Sequence, residues 1–438
     1  MSLFTGEAPP GRAYWWEGVE WPETESDSPD KVDLLIVGAG YTGLSAAIAA
    51  HDAGAKVAVV DAGWPGQGAS SRNGGMVGAH PRLGWEALEK AFGRDTADAL
   101  FAEAAPALEW VTSLIEREAI DCDFRQTGRV QLAYTHTHLA GQKRLAGHVT
   151  AKSDVACQLL SRDDLAKEIA TPLYLGGLLF PQHCALHPAK YHKGLLEAVL
   201  RRSVPVISEC PVLGIERDGG KYRADTPKGS IRADKVLLAT NGYTSPAFGW
   251  FAARVFPVPS YLIATEELPS DVIARLAPGG RMMVETRATH SYFRVSPDGS
   301  RLIFGGRAAL VNLPLETAAR RLRETMAQIW PEVRDIRLSH VWTGNTGYTF
   351  GHLPHVGSHD GVHYAIGFSG SGTVMAPYLG AKAALQALSA PGGETAYADT
   401  SLRSRWFFRG GRPLFLYPAD FWYRHWVDRR EARAAMHG

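Results

Sequence analysis

The chain has 438 residues, 45% hydrophobic and 10% aromatic, enough apolar mass for two domains with their own cores, which excludes a disordered or fibrous class. Lys and Arg number 46 against 45 Asp and Glu, a formal charge of +1. That balance makes no electrostatic case for nucleic acid or an anionic membrane as partner and points to a small or weakly charged substrate.

Residues 1–31 are rich in Pro, Glu, Asp and Ser, yet they carry Trp15, Trp16 and Trp21, so an N-terminal segment pinned to the body by its aromatics is expected. It shows no basic region followed by an apolar one, and no apolar run in the chain is long enough to span a bilayer. Cys122, Cys157, Cys184 and Cys210 lie far apart with no CxxC or zinc spacing, which predicts buried free thiols. A cytoplasmic protein without metal or transmembrane segment is expected, with a homo-oligomer among its candidate assemblies.

Val32–Ala62, VDLLIVGAGYTGLSAAIAAHDAGAKVAVVDA, reads as strand, glycine turn, helix, second strand and acid. Gly38 permits the sharp turn, Gly40 lets a pyrophosphate approach the backbone, and Gly43 lets the helix lie close on the strand. The helix opening at Thr42, with Tyr41 just before it, presents N–H groups and a positive dipole end to phosphate. Asp61, 18 residues beyond Gly43, is placed for the adenosine ribose hydroxyls and would repel a 2′-phosphate. A lone glycine motif is weak evidence. Here both strands, the helix and the acid are in register.

From Ala62 to His80 six glycines and small polar residues leave little to pack into a core. Ser70, Ser71, Arg72, Asn73, Gly74, Gly75 and Met76 form the part of this loop that suits a pyrophosphate, a ribityl chain or the polar edge of an isoalloxazine. Trp85 to about Glu118 is helical in pattern, and Phe124–Tyr134 is strand-like. The HxH pair in Thr135–His138 is read as a turn, without a third metal ligand nearby. A helix over Pro188–Arg201 leads to several strands, the last ending at Thr240, Asn241 and Gly242 as the carboxyl edge of a nucleotide-binding sheet would.

Residues 251–344 alternate strands with a helix whose Leu315, Leu322, Met326 and Ile329 make a core stripe. Tyr292, Arg294 and Arg307 lie on or beside strands where alternation would turn them into a cavity. The strand VHYAIG then reaches Gly370, Ser371, Gly372 and Thr373 and a second helix, whose N-terminus can stabilise negative charge on a reduced flavin. His352, His355, His359 and His363 are read as loop histidines without a shared helical face. Past Arg405 the chain is dense in Trp and Phe among arginines. Folding back over the body, or a partner interface, is favoured over a membrane-surface helix because acids are interleaved.

GAGYTGL, GASSRNGG, VLLATNGYT, WTGN and IGFSGSGTVMAPYLG together resemble the D-amino-acid-oxidase-like FAD-dependent oxidoreductases, nearest the γ-glutamylputrescine oxidase subgroup. The resemblance covers nearly the whole chain, including the GGRPLFLYP stretch near the end. It implies an α/β fold with a discontinuous Rossmann-like FAD domain over 32–85, 178–250 and 344–390. A mixed-sheet α+β substrate domain would span 86–177 and 251–343, with a C-terminal aromatic segment over 391–438. It also implies FAD held by Gly38, Gly40, Gly43 and Asp61, Val212 near adenine, and Gly370–Thr373 at the pyrimidine edge.

Against the family pattern, Ser371 replaces a histidine, Ile303 a lysine used by some relatives for oxygen, and Thr346 an arginine for an α-carboxylate. No cysteine follows Cys210, which implies noncovalent FAD. The expected reaction is oxidation of a primary or secondary amine, γ-glutamylputrescine-like or N-alkyl, by hydride transfer to flavin N5 and imine hydrolysis. Oxygen is the expected acceptor, giving hydrogen peroxide. A quinone or carrier protein is the alternative, and a nonenzymatic redox-sensing flavoprotein is the alternative from another class. Arg72, Tyr292, Arg294, Arg307 and His352 are the candidate reaction-site residues.

Overall fold

The computed structural model describes residues 2–25, 27–78 and 81–436. Ala79 and His80, the last two residues of the expected glycine-rich loop, lie outside them, as do Met1, Ser26, His437 and Gly438. The described residues form two large sheets.

Lys31–Val37 is the central strand of the first sheet and pairs in parallel with Val57–Val60 on one side and Gly229–Leu238 on the other. Val206–Ile207 and Val362–Ile366 extend the parallel order outward on the two sides. Parallel strands are covered on both faces, so their sequence is continuously apolar, and Leu34, Leu35 and Ile36 are all fully buried. His355–His359 and the hairpin Gly214–Asp218 with Lys221–Thr226 add antiparallel pairs.

The helix Tyr41–Asp52 is buried almost all round because the sheet, the helix Pro188–Arg201 and the helix Gly372–Ala387 enclose it. A Cβ on Gly380 would lie 2.2 Å from Thr42 O, so this crossing requires a residue without a side chain. Pro188 at the start of its helix has no N–H to leave unpaired, and His187 Nδ1 accepts from Lys190 N at 3.3 Å.

The second sheet runs Leu338–Thr349, Val255–Thr265, Leu302–Gly306, Ser291–Val295, Met282–Glu285, Arg129–Ala133, Gly176–Phe180, Gln158–Leu160. All its pairs are antiparallel except Met282–Glu285 with Arg129–Ala133. Two expected boundaries fall inside strands of this sheet. Residues 178–180 belong to Gly176–Phe180, and 344–349 to Leu338–Thr349, because pairing runs to the end of the partner strand rather than to a change in composition.

Other local readings change as well. The long helical stretch divides into Trp85–Phe92, Arg94–Ala102 and Ala104–Arg117, with the first break at Gly93, φ 89°. Thr135–His138 is the first turn of the helix His136–Lys152, with Thr135 Oγ1 accepting from His138 N at 3.2 Å. In the N-terminal segment, Trp15 is fully buried with Leu262, Ile303 and Trp342. Near the other end, Phe408 and Leu416 pack on Phe256, Val258 and Tyr348.

All four cysteines are free, Cys157 half-buried and the others buried. Among the described residues no helix is long and apolar enough to cross a membrane, and no three His, Cys, Asp or Glu side chains gather as a metal site.

Candidate active site

The glycine turn is built by close approach. Gly38, at φ 111°, would place a Cβ 2.9 Å from Ala239 O, and a Cβ on Gly43 would meet Gly38 O at 1.8 Å. Only missing side chains let the helix sit this near the strand. A Cβ on Gly40 would meet Ser70 Oγ at 2.9 Å, and that hydroxyl accepts from Tyr41 N at 3.0 Å. Asp61 Oδ2 accepts from Ala39 N at 2.7 Å and Oδ1 from Gly63 N at 3.0 Å. Burial pushes its pKa up while these two N–H groups pull it down, and each oxygen keeps a second lone pair for a ribose hydroxyl.

Neither Tyr41–Asp52 nor Gly372–Ala387 is capped by the side chain of its own N-cap residue, although Ser70 Oγ takes Tyr41 N. The dipole ends and the other first-turn N–H groups favour a negatively charged group. The glycine turn, the helix start and the acid at the end of the second strand fit the diphosphate and ribose of FAD.

A cavity of about 290 Å³ lies between the glycine-rich loop, the start of the second helix and one face of the second sheet. Strand alternation selects that face: Val258, Ser260 and Leu262 line it, as do Gly344, Thr346 and Tyr348, and Arg129 and Gln131. From the loop come Arg72, Asn73, Gly74 and Met76, and from the second helix start Ser369, Gly370, Ser371 and Thr373.

Tyr348 is flanked by two guanidinium groups. Arg307 Nη2 donates to its hydroxyl at 2.8 Å, and the Arg82 guanidinium lies 5.4 Å from its ring centre. Arg82 also donates to Ser369 O at 3.0 Å and has its pKa lowered by burial, with Arg307 adding repulsion. Burial pushes Arg129 down to about 10. His290, also on the wall, is driven well below its ordinary value by burial and then by Arg307 and Arg82, so it is neutral. Tyr292 shares a hydrogen bond with Ser260 at 2.8 Å, and burial raises its phenol to about 12. No Asp or Glu is among the described residues that line the cavity with Arg72, Arg82 and Arg307.

Several expected site residues have other duties. Arg294 is not on this wall: farther along its strand than Tyr292, it donates to Leu186 O at 2.9 Å and Gly75 O at 3.1 Å, tying the loop to the sheet. His352 is exposed beside Tyr348, at φ 54°, outside the cavity lining. Ser71 is fully buried and donates to Gly66 O while accepting from Trp16 Nε1 at 2.7 Å, so its single proton is spent. Gly75 and Gly372 do not line the cavity, and Ala62 is exposed beyond Asp61.

Asn73 is on the wall and donates to Ser70 O at 2.9 Å, while Tyr41 is buried with its hydroxyl on Pro188 O at 3.0 Å. Thr240 lies beside Gly38, Asn241 Oδ1 accepts from Gly367 N at 2.9 Å, and Gly242 packs on residues 345–347. Val212 is buried, two residues past Cys210, whose N–H donates to Asp61 O at 2.7 Å. Arg82, Arg129, His290 and Tyr348 were not legible as site residues. Arg82 follows the glycine-rich loop and His290 the turn before Ser291–Val295, neither with a motif, while only strand alternation pointed to Arg129 and Tyr348.

A family model described as DAO, FAD dependent oxidoreductase, matches residues 33–385. A probable oxidoreductase OrdL of Rhizobium meliloti (strain 1021) is 31% identical over 386 residues, 86% of this chain and 88% of the relative. The gamma-glutamylputrescine oxidoreductase of Escherichia coli (strain K12) is 28% identical over 350 residues, 80% and 82% of the two chains. Among solved structures, glycine oxidase from Geobacillus kaustophilus aligns with TM-score 0.67 at 20% identity, covering 86% of this chain and all of that one. L-proline dehydrogenase from P. horikoshii aligns with TM-score 0.69 at 17% identity, covering 85% and 98%.

Proposed function

The chain belongs to the DAO family of FAD-dependent oxidoreductases, and we propose that it oxidises a primary or secondary amine carrying a carboxylate away from the reacting carbon. The observation behind this reading is a cavity lined by Arg72, Arg82 and Arg307 with no acid among its described lining residues. Such a wall stabilises an anionic end of the substrate and disfavours an ammonium. The amine is therefore bound as the free base, the form that can give up its α-hydrogen.

FAD, when bound, would supply a hydride acceptor for the amine's α C–H bond, and hydrolysis of the imine so formed would give an aldehyde or ketone. The protein's part is placement. Gly38, Gly40, Gly43 and the helix start at Tyr41 would hold the diphosphate, Asp61 the ribose, and Ser70, Arg72, Asn73 and Gly74 the ribityl side of a noncovalent cofactor. Ser369–Thr373 and the dipole of the helix Gly372–Ala387 favour negative charge at the pyrimidine edge. Arg82 and Arg307, held together through Tyr348, take the carboxylate, while Tyr292 and Ser260 bound the reacting end. Oxygen is the acceptor in this reading, and the four free thiols agree with a cytoplasmic setting.

Anaerobic titration of the FAD-loaded protein tests it, using γ-glutamylputrescine and an amine of the same length without the carboxylate. Loss of the visible flavin band with the first and not the second supports the reading, and recovery in air identifies oxygen as acceptor. Equal bleaching by both removes the carboxylate assignment. No bleaching by any amine, with dithionite still reducing the flavin, removes the amine. Bleaching without recovery in air assigns a quinone or carrier protein instead.

A further inference from the structure

The segment from Arg405 onward has two faces of opposite character. Its inner face is docked by its acids: Asp420 accepts from Leu310 N at 2.7 Å, Asp428 from Thr289 Oγ1 at 2.7 Å and Glu431 from Ala288 N at 3.1 Å. Those are the only carboxylates between residues 405 and 436. Every one of them is turned toward the body.

The outer face is what remains. Trp406 is 82% and Trp426 63% exposed, and Phe407, Leu414, Phe421 and Trp422 are exposed with them. Trp422 and Trp426 stack at 5.4 Å, one helical turn apart. Arg405, Arg409, Arg412, Arg429, Arg430 and Arg433 are exposed along the same segment. Large aromatics left in water at this density mark an interaction surface rather than ordinary scatter.

We propose that this face binds the headgroup region of an anionic lipid bilayer. Aromatic rings beside arginines are the side chains that partition to that depth, with the rings at the acyl boundary and the cations on lipid phosphates. Charge also argues against a second copy of the chain. A twofold contact would press the same patch against itself and bring each exposed arginine toward its counterparts with no exposed carboxylate in the segment to answer it. The chain's net charge of +1 hides this because the segment's acids point inward.

Binding places the reaction cavity at the membrane side of the protein. The segment's buried residues, Phe408 and Leu416, pack against Val258 and Tyr348, which also line that cavity.

The test is sedimentation of the full-length, FAD-loaded protein with vesicles of phosphatidylcholine alone or mixed with phosphatidylglycerol. The protein is expected to pellet with the mixed vesicles at low salt and to be released as salt rises. Replacing Trp422 and Trp426 by Ser should lower the partition constant by about tenfold or more. Arg429→Gln with Arg430→Gln should lower it by roughly tenfold on anionic vesicles. Circular dichroism and flavin content should be unchanged in both variants.

No pelleting with either vesicle, or equal pelleting by the tryptophan variant and the parent, overturns the proposal. So does a concentration-dependent dimer in light scattering that the tryptophan variant abolishes, which would assign the face to a second copy.

Discussion

The Trp16 indole N–H donates to the Ser71 hydroxyl at 2.7 Å, joining the N-terminal segment to the glycine-rich loop across 55 positions. The same ring lies 4.3 Å below the Arg72 guanidinium, and Arg72 in turn donates to Thr343 O at 3.1 Å. A loop poor in apolar residues is thus held by an aromatic from elsewhere.

Trp16→Phe keeps the ring and removes the donor, leaving the buried Ser71 oxygen short of a partner. A loss of ~1 kcal/mol is expected, read as a rise of about fivefold in the FAD dissociation constant. Trp16→Ala should weaken FAD further. Fluorescence titration of the stripped protein with FAD checks both, and unchanged FAD affinity in the alanine variant would show that the loop holds itself.

Arg307 is expected to set preference rather than chemistry. Arg307→Ala should lower kcat/KM for a carboxylate-bearing amine by about 10- to 100-fold, the range for a hydrogen bond to a charged group. The counterpart lacking a carboxylate should change little. Arg307→Lys should recover only part, because one ammonium cannot reproduce the planar fork that reaches both Tyr348 and the substrate. Equal losses on the two substrates would mean that Arg307 merely supports the wall.

Gly43→Ala should prevent a stable FAD complex, since the new Cβ would fall 1.8 Å from Gly38 O and push the helix off the strand. Gly147→Ala is the matched control. It lies inside the helix His136–Lys152 with nothing within 4 Å of the added Cβ, so it should raise stability by roughly 0.5–1 kcal/mol. Thermal melts and the ratio of flavin to protein absorbance after purification separate the two outcomes.

Stability should fall in acid well before the exposed carboxylates titrate. Burial pushes His187, His192 and His355 down to about 4 from an ordinary 6.5. Between those values the unfolded chain binds protons that the folded chain refuses, so stability rises with pH across the window and is lost as pH falls through it. The loss is at most on the order of 3 kcal/mol per histidine at the lower end. His192 Nδ1 accepts from Trp21 at 3.2 Å while its Nε2 donates to Ala39 O at 2.8 Å, so protonation at Nδ1 breaks the bond from the N-terminal segment and leaves the one to the glycine turn. Urea midpoints from neutral pH to about pH 5 should show this slope, and His192→Gln should flatten it although the variant is weaker at neutral pH.

The nucleotide-binding unit was legible because its constraints are local. Gly38, Gly43 and Asp61 act within about thirty residues of one another, and a turn, a close helix contact and an acid at a strand end each demand a particular residue type. The continuous apolar run at Lys31–Val37 and the proline-led helix Pro188–Arg201 are local in the same sense. Near-neutral charge and ordinary composition fixed the class but averaged over faces, so they missed the inward acids and outward arginines past Arg405.

Tertiary structure decided the cavity. Arg294 and Arg307 read alike in sequence, yet Arg294 ends under the loop at Gly75 and Leu186, while Arg307 reaches Tyr348, 41 positions away. Arg82 joins that pair from beyond the glycine-rich loop, and Arg129 and His290 from elsewhere around the second sheet. Sequence alone determined that a dinucleotide is held, because that demand falls on neighbouring backbone atoms. Which charges face the substrate depends on strand register and on which loop covers which face, and those relations exist only once distant segments pack.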